Sequence, residues 1–93
     1  MPYAIIFTPE AEDNLQNIAH ADPLLASRIL DEAERLAQDP TSLSSPGGVP
    51  FLPQQRYSFW FDPQEKKTHI HLFFQYGQDE QSIWITGIGV VRY

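Results

Sequence analysis

Two histidines, two positions apart, are the side chains of this sequence best suited to proton transfer. His69 and His71 lie in the run THIHLFFQY, and an imidazole titrates close to neutral pH. Such a pair could supply an acid and a base, or half of a metal site, although no third ligand stands at a fixed spacing from it. A solvated pair of histidines on a strand is the plainer interpretation, and it stays open.

One arginine begins the aromatic-rich run RYSFWF that precedes the histidines. The guanidinium of Arg56 could hold a phosphate group through two parallel hydrogen bonds, or it could form an ordinary surface ion pair. The rings of Trp60, Phe73 and Trp84 could stack on nucleic-acid bases, or belong to the core or to a protein-binding patch. These residue types together indicate a candidate face that carries aromatic rings, a cation and imidazoles.

Strand alternation predicts which of these side chains can meet, because successive side chains point to opposite faces. The apolar set of the two runs is predicted to face the core: Tyr57, Phe59, Phe61, Ile70, Leu72, Phe74 and Tyr76. The opposite set forms a predicted open face: Arg56, Ser58, Trp60, His69, His71 and Phe73, with Trp84 as a candidate neighbour.

The last apolar run has two conflicting phases. Ile83 and Ile85 favour one face, whereas Trp84, Ile88 and Val90 favour the other, and Gly87 and Gly89 could mark a bulge or a close backbone approach. The register of this run decides whether the terminal Arg92 and Tyr93 join Arg56 on one face.

The elements that must position these residues follow from turn and cap signals. Thr8-Pro9 and Asp22-Pro23 each suit a helix start, and Asp39-Pro40 ends the second helix, so two helices form a hairpin with an acidic outer face. The apolar run 3–7 precedes them, and a proline- and glycine-rich loop follows over residues 40–54, with Phe51 and Leu52 expected on the core. Three strands are predicted last: 55–61, 67–76 and 82–92.

This order, β-α-α-β-β-β, predicts an α+β domain in which the helical hairpin covers one face of a small, mainly antiparallel sheet. A chain of 93 residues has the size of one domain, residues 1–93. With no cysteine it has neither disulfides nor thiolate metal sites, and the run 3–7 is too short for a signal peptide or a membrane span. We expect a cytoplasmic protein without cofactor, metal or membrane contact.

The net charge is −6, and residues 1–39 carry all of it, since they hold eight acidic and two basic residues. Residues 40–93 hold four of each kind and are neutral. A uniformly acidic chain would bind nucleic acid poorly, because lysine and arginine contacts to phosphate supply most of that affinity. Here the second half could still present a locally basic site.

The ordered set of local strings resembles the RelE/ParE toxin superfamily of bacterial type II toxin–antitoxin modules. An apolar strand runs into a helix in YAIIFTPEAEDNLQNI, the second helix closes on Asp-Pro in ADPLLASRILDEAERLAQDP, and two strands flank an acidic turn in RYSFWFDPQEKKTHIHLFF. The run IWITGIGVVRY stands where that family has its last strand. The resemblance extends over nearly the whole chain.

The resemblance implies a toxin that is silenced by a cognate antitoxin. RelE-like members cleave messenger RNA in the ribosomal A site without a metal, whereas ParE-like members poison DNA gyrase. It also implies that Arg56 would contact the scissile phosphate. A non-toxic member that only binds a partner protein is the alternative.

The chain departs from the nuclease members of that family. Phe51, Leu52, Gln54 and Gln55 replace the basic residues expected before Arg56, and Val90 and Val91 replace a basic pair near the end. Arg92 and Tyr93 are the remaining candidates there, while His69 and His71 match no family position. The candidate catalytic set is therefore Arg56, His69, His71, Arg92 and Tyr93.

Overall fold

The computed structural model describes residues 3–43, 45–46, 54–79 and 81–93. The first part of the chain forms β1 (Ala4–Phe7), α1 (Pro9–Ala21), α2 (Pro23–Gln38) and α3 (Pro40–Leu43). The second part is all strand: β2 (Ser45–Pro46), β3 (Gln55–Trp60), β4 (Thr68–Tyr76) and β5 (Ser82–Arg92). None of the helices among these residues has the length and apolar run needed to cross a membrane.

The helix starts lie where the proline signals predict them. Thr8 Oγ1 accepts a hydrogen bond from the Ala11 amide at 3.3 Å, and Asp22 Oδ1 accepts one from the Leu25 amide at 3.2 Å. Each acceptor satisfies an amide that the first helical turn leaves without a partner. Asp22 also ends α1, where its own amide donates to the Ile18 carbonyl at 2.7 Å. One residue thus joins the two helices of the hairpin.

The strands form one five-stranded sheet in the order β1-β5-β4-β3-β2. β3, β4 and β5 form an antiparallel meander, and β1 pairs with β5 in parallel at the edge. The predicted α+β order is confirmed, and the two long helices cover one face of the sheet.

The core lies between the helices and that face. Its fully buried large side chains come from both layers: Leu25, Ile29, Leu36, Ile70, Leu72, Phe74, Ile83 and Ile85. Tyr57 and Phe59 are buried as predicted, whereas Tyr76 remains 39% exposed. The prediction for Tyr76 is wrong because it ends β4, where its ring packs edgewise on Phe74 and against Tyr3.

A β-bulge resolves the two phases of the last strand. Phe74 pairs with Ile85 and Phe73 pairs with Gly87, so Thr86 is the extra residue on β5. The extra residue shifts the alternation by one, and Ile83 and Ile85 before it and Ile88 and Val90 after it all contact the core. Trp84 lies on the opposite face.

The bulge is held by side-chain hydrogen bonds. Thr86 Oγ1 donates to the Phe73 carbonyl at 3.2 Å and accepts from Gln54 Nε2 at 2.9 Å. A Cβ at Gly89 would meet Phe73 and His71 only at ordinary contact distances of 3.7 and 3.8 Å. The predicted bulge is therefore confirmed, next to Gly87, and a close backbone approach at Gly89 is not found.

The segment 40–54 is not the uniform loop that its composition predicts. The Asp39 carboxylate accepts from the Ser42 amide at 3.3 Å and Pro40 is buried, so a short helix, Pro40–Leu43, begins directly after α2. Ser45–Pro46 then pairs with β3. The predicted core contacts of Phe51 and Leu52 lie outside the described residues.

A buried polar contact ties α2 to the sheet. The Tyr57 hydroxyl donates to Glu32 Oε2 at 2.5 Å, and Arg28 Nε donates to Glu32 Oε1 at 3.1 Å. The Arg28 guanidinium also lies 5.6 Å from the centre of the Phe59 ring. Burial and the contact with Glu32 raise the pKa of Tyr57 to about 12.

Candidate functional site

The face of the sheet opposite the helices, which we call the open face, carries the predicted polar and aromatic set. β3 and β4 bring its members into register, with Arg56 opposite Phe73, Ser58 opposite His71, and Trp60 opposite His69. On the other side of β4, Gly89 lies opposite His71 and Val91 opposite His69. The predicted open face is thereby assembled over three adjacent strands.

A row of aromatic rings and imidazoles runs across the open face. Trp60 stacks on His69 with ring centres 4.2 Å apart and planes 17° apart, and His69 meets His71 edge to face at 4.4 Å. Phe73 continues the row at 6.3 Å from His71, and Tyr93 extends it beyond Trp60 at 5.8 Å. Rings arranged in this way offer a surface on which planar ligands can stack.

His71 is the most constrained group of the row. Its Nδ1 lies 2.7 Å from Ser58 Oγ, a hydrogen bond between directly opposed residues of β3 and β4. Burial lowers the pKa of His71 below its usual value, and the charges of His69 and Arg56 lower it further. His71 is therefore a neutral imidazole near neutral pH, the form that can accept a proton.

Arg56 provides the cation of the open face. Arg56 is half-buried, and on β3 it pairs with Ser45 of β2 on one side and with Phe73 of β4 on the other. Its positive charge helps to lower the pKa of His71. Arg56 has the same phase on β3 as Ser58 and Trp60, so its side chain leaves the sheet on the open face. Arginine, imidazole and serine hydroxyl are groups that can bind a phosphate ester and move a proton beside it.

Arg92 lies apart from this group. It pairs with Thr68 and has the same phase on β5 as Val90, which contacts the core. It lines a groove of about 470 Å³ together with residues of both long helices, among them Asn17, Ile18 and Leu25. The structure thus brings Arg56, His69, His71 and Tyr93 together and places Arg92 on the helix side of the sheet.

Acidic residues are absent from every described strand. β1, β3, β4 and β5 contain no Asp or Glu, whereas α1 and α2 contain six. The sheet separates the two layers, so the open face combines one guanidinium with two imidazoles and no strand carboxylate. Among the described strands, the acidic character of the whole chain is therefore not carried onto this face.

Ser58 is the site residue that the sequence prediction left out of the candidate set, although it placed Ser58 on the open face. Ser58 pairs with His71 because of the register between β3 and β4, and this register cannot be predicted from the pattern of residues in the two strands. Within the described ranges no group of three His, Cys, Asp or Glu side chains is placed to hold a metal ion. A separate groove of about 620 Å³, beside Trp84 and Ile6, contains none of the candidate residues.

Two solved structures share the architecture just described. One chain of the crystal structure of the toxin–antitoxin complex RelBE2 from Mycobacterium tuberculosis is similar over 100% of both chains, with a TM-score of 0.75 and 15% sequence identity. The chain has the fold of the RelE toxins. The E. coli toxin RelE, solved in the free state with two arginines mutated to alanine, has a TM-score of 0.66 and 12% identity, covering 96% of this chain and 83% of its own.

The likeness to the RelE toxins is one of fold. No protein-family model matches the sequence, and no curated protein matches it either. The resemblance inferred from the local strings is therefore confirmed by architecture over the whole chain, at identities of 15% and 12%.

Proposed function

We propose that this chain is the toxin of a bacterial toxin–antitoxin module and that a cognate antitoxin binds and silences it in the cytoplasm. The observation that carries the proposal is the match in fold to a chain of the RelBE2 toxin–antitoxin complex, which leaves no part of either chain uncovered. The agreement in fold extends over the full length of both chains and is not confined to one motif. In so small a domain, this full-length agreement supports a shared role.

We infer further that the toxin acts on messenger RNA at the ribosome as a metal-free endoribonuclease. Cleavage of RNA by its own 2′-hydroxyl needs a proton acceptor, a proton donor and a charge that stabilises the crowded phosphate. The open face offers Arg56 as the charge, His71 as a neutral imidazole, and the rings of Trp60 and Tyr93 for stacking. Its lack of strand carboxylates favours a polyanionic ligand.

DNA gyrase is the second candidate target, and one observation favours it. Residues 1–39, which include the two long helices and their caps, carry the whole net charge of −6, and only Arg56 stands for the basic cluster that the family resemblance leads us to expect beside it. Docking into ribosomal RNA favours a basic surface, whereas a protein target does not require one. In that case the open face would be an aromatic protein-binding patch, and the same would hold for a non-toxic member of this fold.

Controlled expression in a bacterial host tests the ribonuclease, gyrase and non-toxic hypotheses together. Growth, the length of messenger RNA and DNA damage are followed after induction of the chain, alone and with the neighbouring short gene that would encode the antitoxin. Our proposal predicts arrested growth with cut transcripts and intact DNA, and recovery when the antitoxin is present.

Two other outcomes separate the alternatives. Arrest with whole transcripts and damaged DNA would indicate gyrase and contradict the ribonuclease assignment while leaving the toxin. Undisturbed growth with folded protein in the cell would contradict the toxin proposal itself.

A further inference from the structure

We propose that His71 is the proton-accepting catalytic residue of the open face, that Ser58 positions it, and that His69 acts as a stacking surface and not as a second base. This division of labour rests on the proposed ribonuclease function. It concerns two imidazoles that the sequence presents as equivalent and that the fold places in different surroundings.

The contact between Ser58 and His71 selects one ring nitrogen. Ser58 Oγ lies 2.7 Å from Nδ1, and the two residues are directly opposed across the β3–β4 pairing, so both side chains are held by the backbone ladder. In the arrangement we infer, Nδ1–H donates to the serine oxygen and the lone pair is on Nε2. A hydroxyl can accept from Nδ1–H or donate to an unprotonated Nδ1, so the contact holds the ring rotation, and the proton on Nδ1 is part of our inference.

The charged groups around His71 favour its neutral form. His69 faces it from the same strand and Arg56 from β3, while β5 contributes Gly89, which has no side chain. No described strand residue provides a carboxylate that would stabilise an imidazolium. Burial and these two neighbours keep the pKa of His71 below its usual value, so the ring is ready to accept a proton at neutral pH.

His69 is engaged through its ring face. It stacks on Trp60 at 4.2 Å and 17°, and Tyr93 packs on the same tryptophan at 5.8 Å. The imidazole therefore extends an aromatic platform, and among the described residues no hydroxyl or carboxylate is shown to orient either of its nitrogens. A platform of this kind suits a nucleobase next to the bond that is cut.

The step assigned to His71 balances without a further reactant. The RNA 2′-hydroxyl loses its proton to Nε2, its oxygen forms a bond to phosphorus, and the bond from phosphorus to the 5′-oxygen breaks. The leaving oxygen takes a proton from water, and the hydroxide so formed is neutralised by the proton that His71 then releases. Arg56 faces the phosphate, whose charge grows during this step, and the products are a 2′,3′-cyclic phosphate and a 5′-hydroxyl.

Single-turnover cleavage of end-labelled messenger RNA on programmed ribosomes tests the assignment, measured from about pH 5 to about pH 9. We expect the wild-type rate to rise with pH and to level off by about pH 7, as a base with a lowered pKa requires. His71→Gln should slow cleavage by about 100-fold or more and remove this rise. His20→Gln, at an exposed histidine of α1, is the matched control and should behave as wild type.

Ser58 needs a readout that a purely structural role would not change. Ser58→Ala should slow cleavage by about 10-fold and shift the midpoint of the pH profile, and Ser58→Thr, which keeps the hydroxyl, should restore both. Nitrogen-15 NMR of the His71 ring at neutral pH should show the Nδ1-protonated tautomer in wild type and a mixture in Ser58→Ala. These two variants also decide the matter if His71→Gln does not fold.

The outcomes separate this inference from the proposed function. If wild type cuts RNA and His71→Gln cuts it within about 3-fold of that rate, His71 is not the base although the toxin assignment stands. If His69→Gln alone removes the pH dependence, the two roles are reversed and the inference is wrong. Growth arrest without any RNA cleavage by wild type also overturns it, while leaving a toxin with another target.

Discussion

The surroundings of His71 also make the folded state sensitive to acid. Burial, His69 and Arg56 lower its pKa in the folded protein, while the unfolded chain keeps a value near 6.5. The unfolded state therefore binds the proton first as the pH falls, so this contribution to stability is complete above about pH 6.5 and is lost below it as the folded pKa is passed.

We predict that the free energy of unfolding, measured by urea denaturation, declines as the pH falls below about 6.5. His71→Gln should reduce the slope of that decline, whereas His20→Gln, at an exposed histidine, should keep it. A variant lacking His71 that shows the full wild-type slope would mean that its environment does not disfavour the proton.

Tyr57 anchors a buried carboxylate, and this gives a second prediction at the residue scale. Glu32 is only 7% exposed and accepts from the Tyr57 hydroxyl at 2.5 Å. Tyr57→Phe leaves one carboxylate oxygen without that donor, which should cost about 1–3 kcal/mol of unfolding free energy. Tyr93→Phe removes a hydroxyl from a residue that is 75% exposed and should change stability very little.

Chemical denaturation of the two variants at neutral pH checks this prediction. A loss below about 0.5 kcal/mol for Tyr57→Phe would show that Arg28 or water satisfies Glu32 equally well. The difference should also shrink as the pH rises above about 10, because Tyr57 of the unfolded chain then loses its proton while the folded phenol, whose pKa is raised to about 12, still keeps it.

Much of the open face could be predicted from single residues, because a period of two assigns each side chain to a face. Arg56, Trp60, His69 and His71 lie where alternation puts them. The Ser58–His71 hydrogen bond could not be predicted, since it depends on which residues of two strands stand opposite each other. The face of the sheet on which Arg92 lies could not be predicted either, because it depends on the bulge at Thr86.

At the level of single elements, the turn between β3 and β4 has an unusual backbone. Among the residues that the structure describes, Lys66 in this turn is the non-glycine residue with a positive φ. Lys66 has φ of 56°, and the turn is closed by Asp62, whose carboxylate accepts from the Lys67 and Thr68 amides at 3.0–3.1 Å. A side chain in this region clashes with its own backbone, and glycine avoids the clash.

Lys66→Gly should therefore leave stability unchanged or raise it by up to about 1 kcal/mol, because relief of strain offsets the added flexibility of the unfolded chain. Lys67→Gly removes the same charge one position later, where φ is not positive, and should cost about 0.5–1 kcal/mol. Thermal or urea unfolding of the pair measures the contrast, and equal losses in both variants would contradict the assigned turn geometry.

Helix caps and turn residues made the helices and strands predictable from the sequence. The change of alternation phase within β5 could not be predicted in this way. Thr8-Pro9 and Asp22-Pro23 each bring an N-cap and a proline together, so both helix starts were predicted correctly. The bulge at Thr86 showed itself only as a conflict between two apolar phases, which composition cannot resolve. The short helix Pro40–Leu43 repeats the Asp-Pro signal, here hidden within a proline-rich stretch.

At the scale of the whole molecule, the sheet separates an acidic helix layer from a face without strand carboxylates. If the open face binds single-stranded RNA, stacking must supply most of the affinity, since Arg56 is the cation that the described strands present there. Each phosphate contact on a single strand contributes a slope of about −0.7 to the plot of log affinity against log salt.

We predict a shallow slope, about −0.7 to −1.5, for binding of a fluorescently labelled single-stranded RNA between about 50 and about 300 mM salt. Trp60→Ala should weaken binding by about 10-fold or more at every salt concentration and keep the slope, whereas Arg56→Ala should flatten it. Fluorescence anisotropy measures both quantities. A slope steeper than about −3 would require cations that the described open face does not have.

Arginines on the two faces of the molecule can be compared directly in the cell. Arg56 lies on the open face, while Arg35 is an exposed arginine of α2 in the acidic layer, so Arg35→Ala is a matched control for Arg56→Ala. We predict that wild type and Arg35→Ala arrest growth and shorten transcripts, while folded Arg56→Ala does neither. Arrest by folded Arg56→Ala at the wild-type level would contradict the open face as the functional surface.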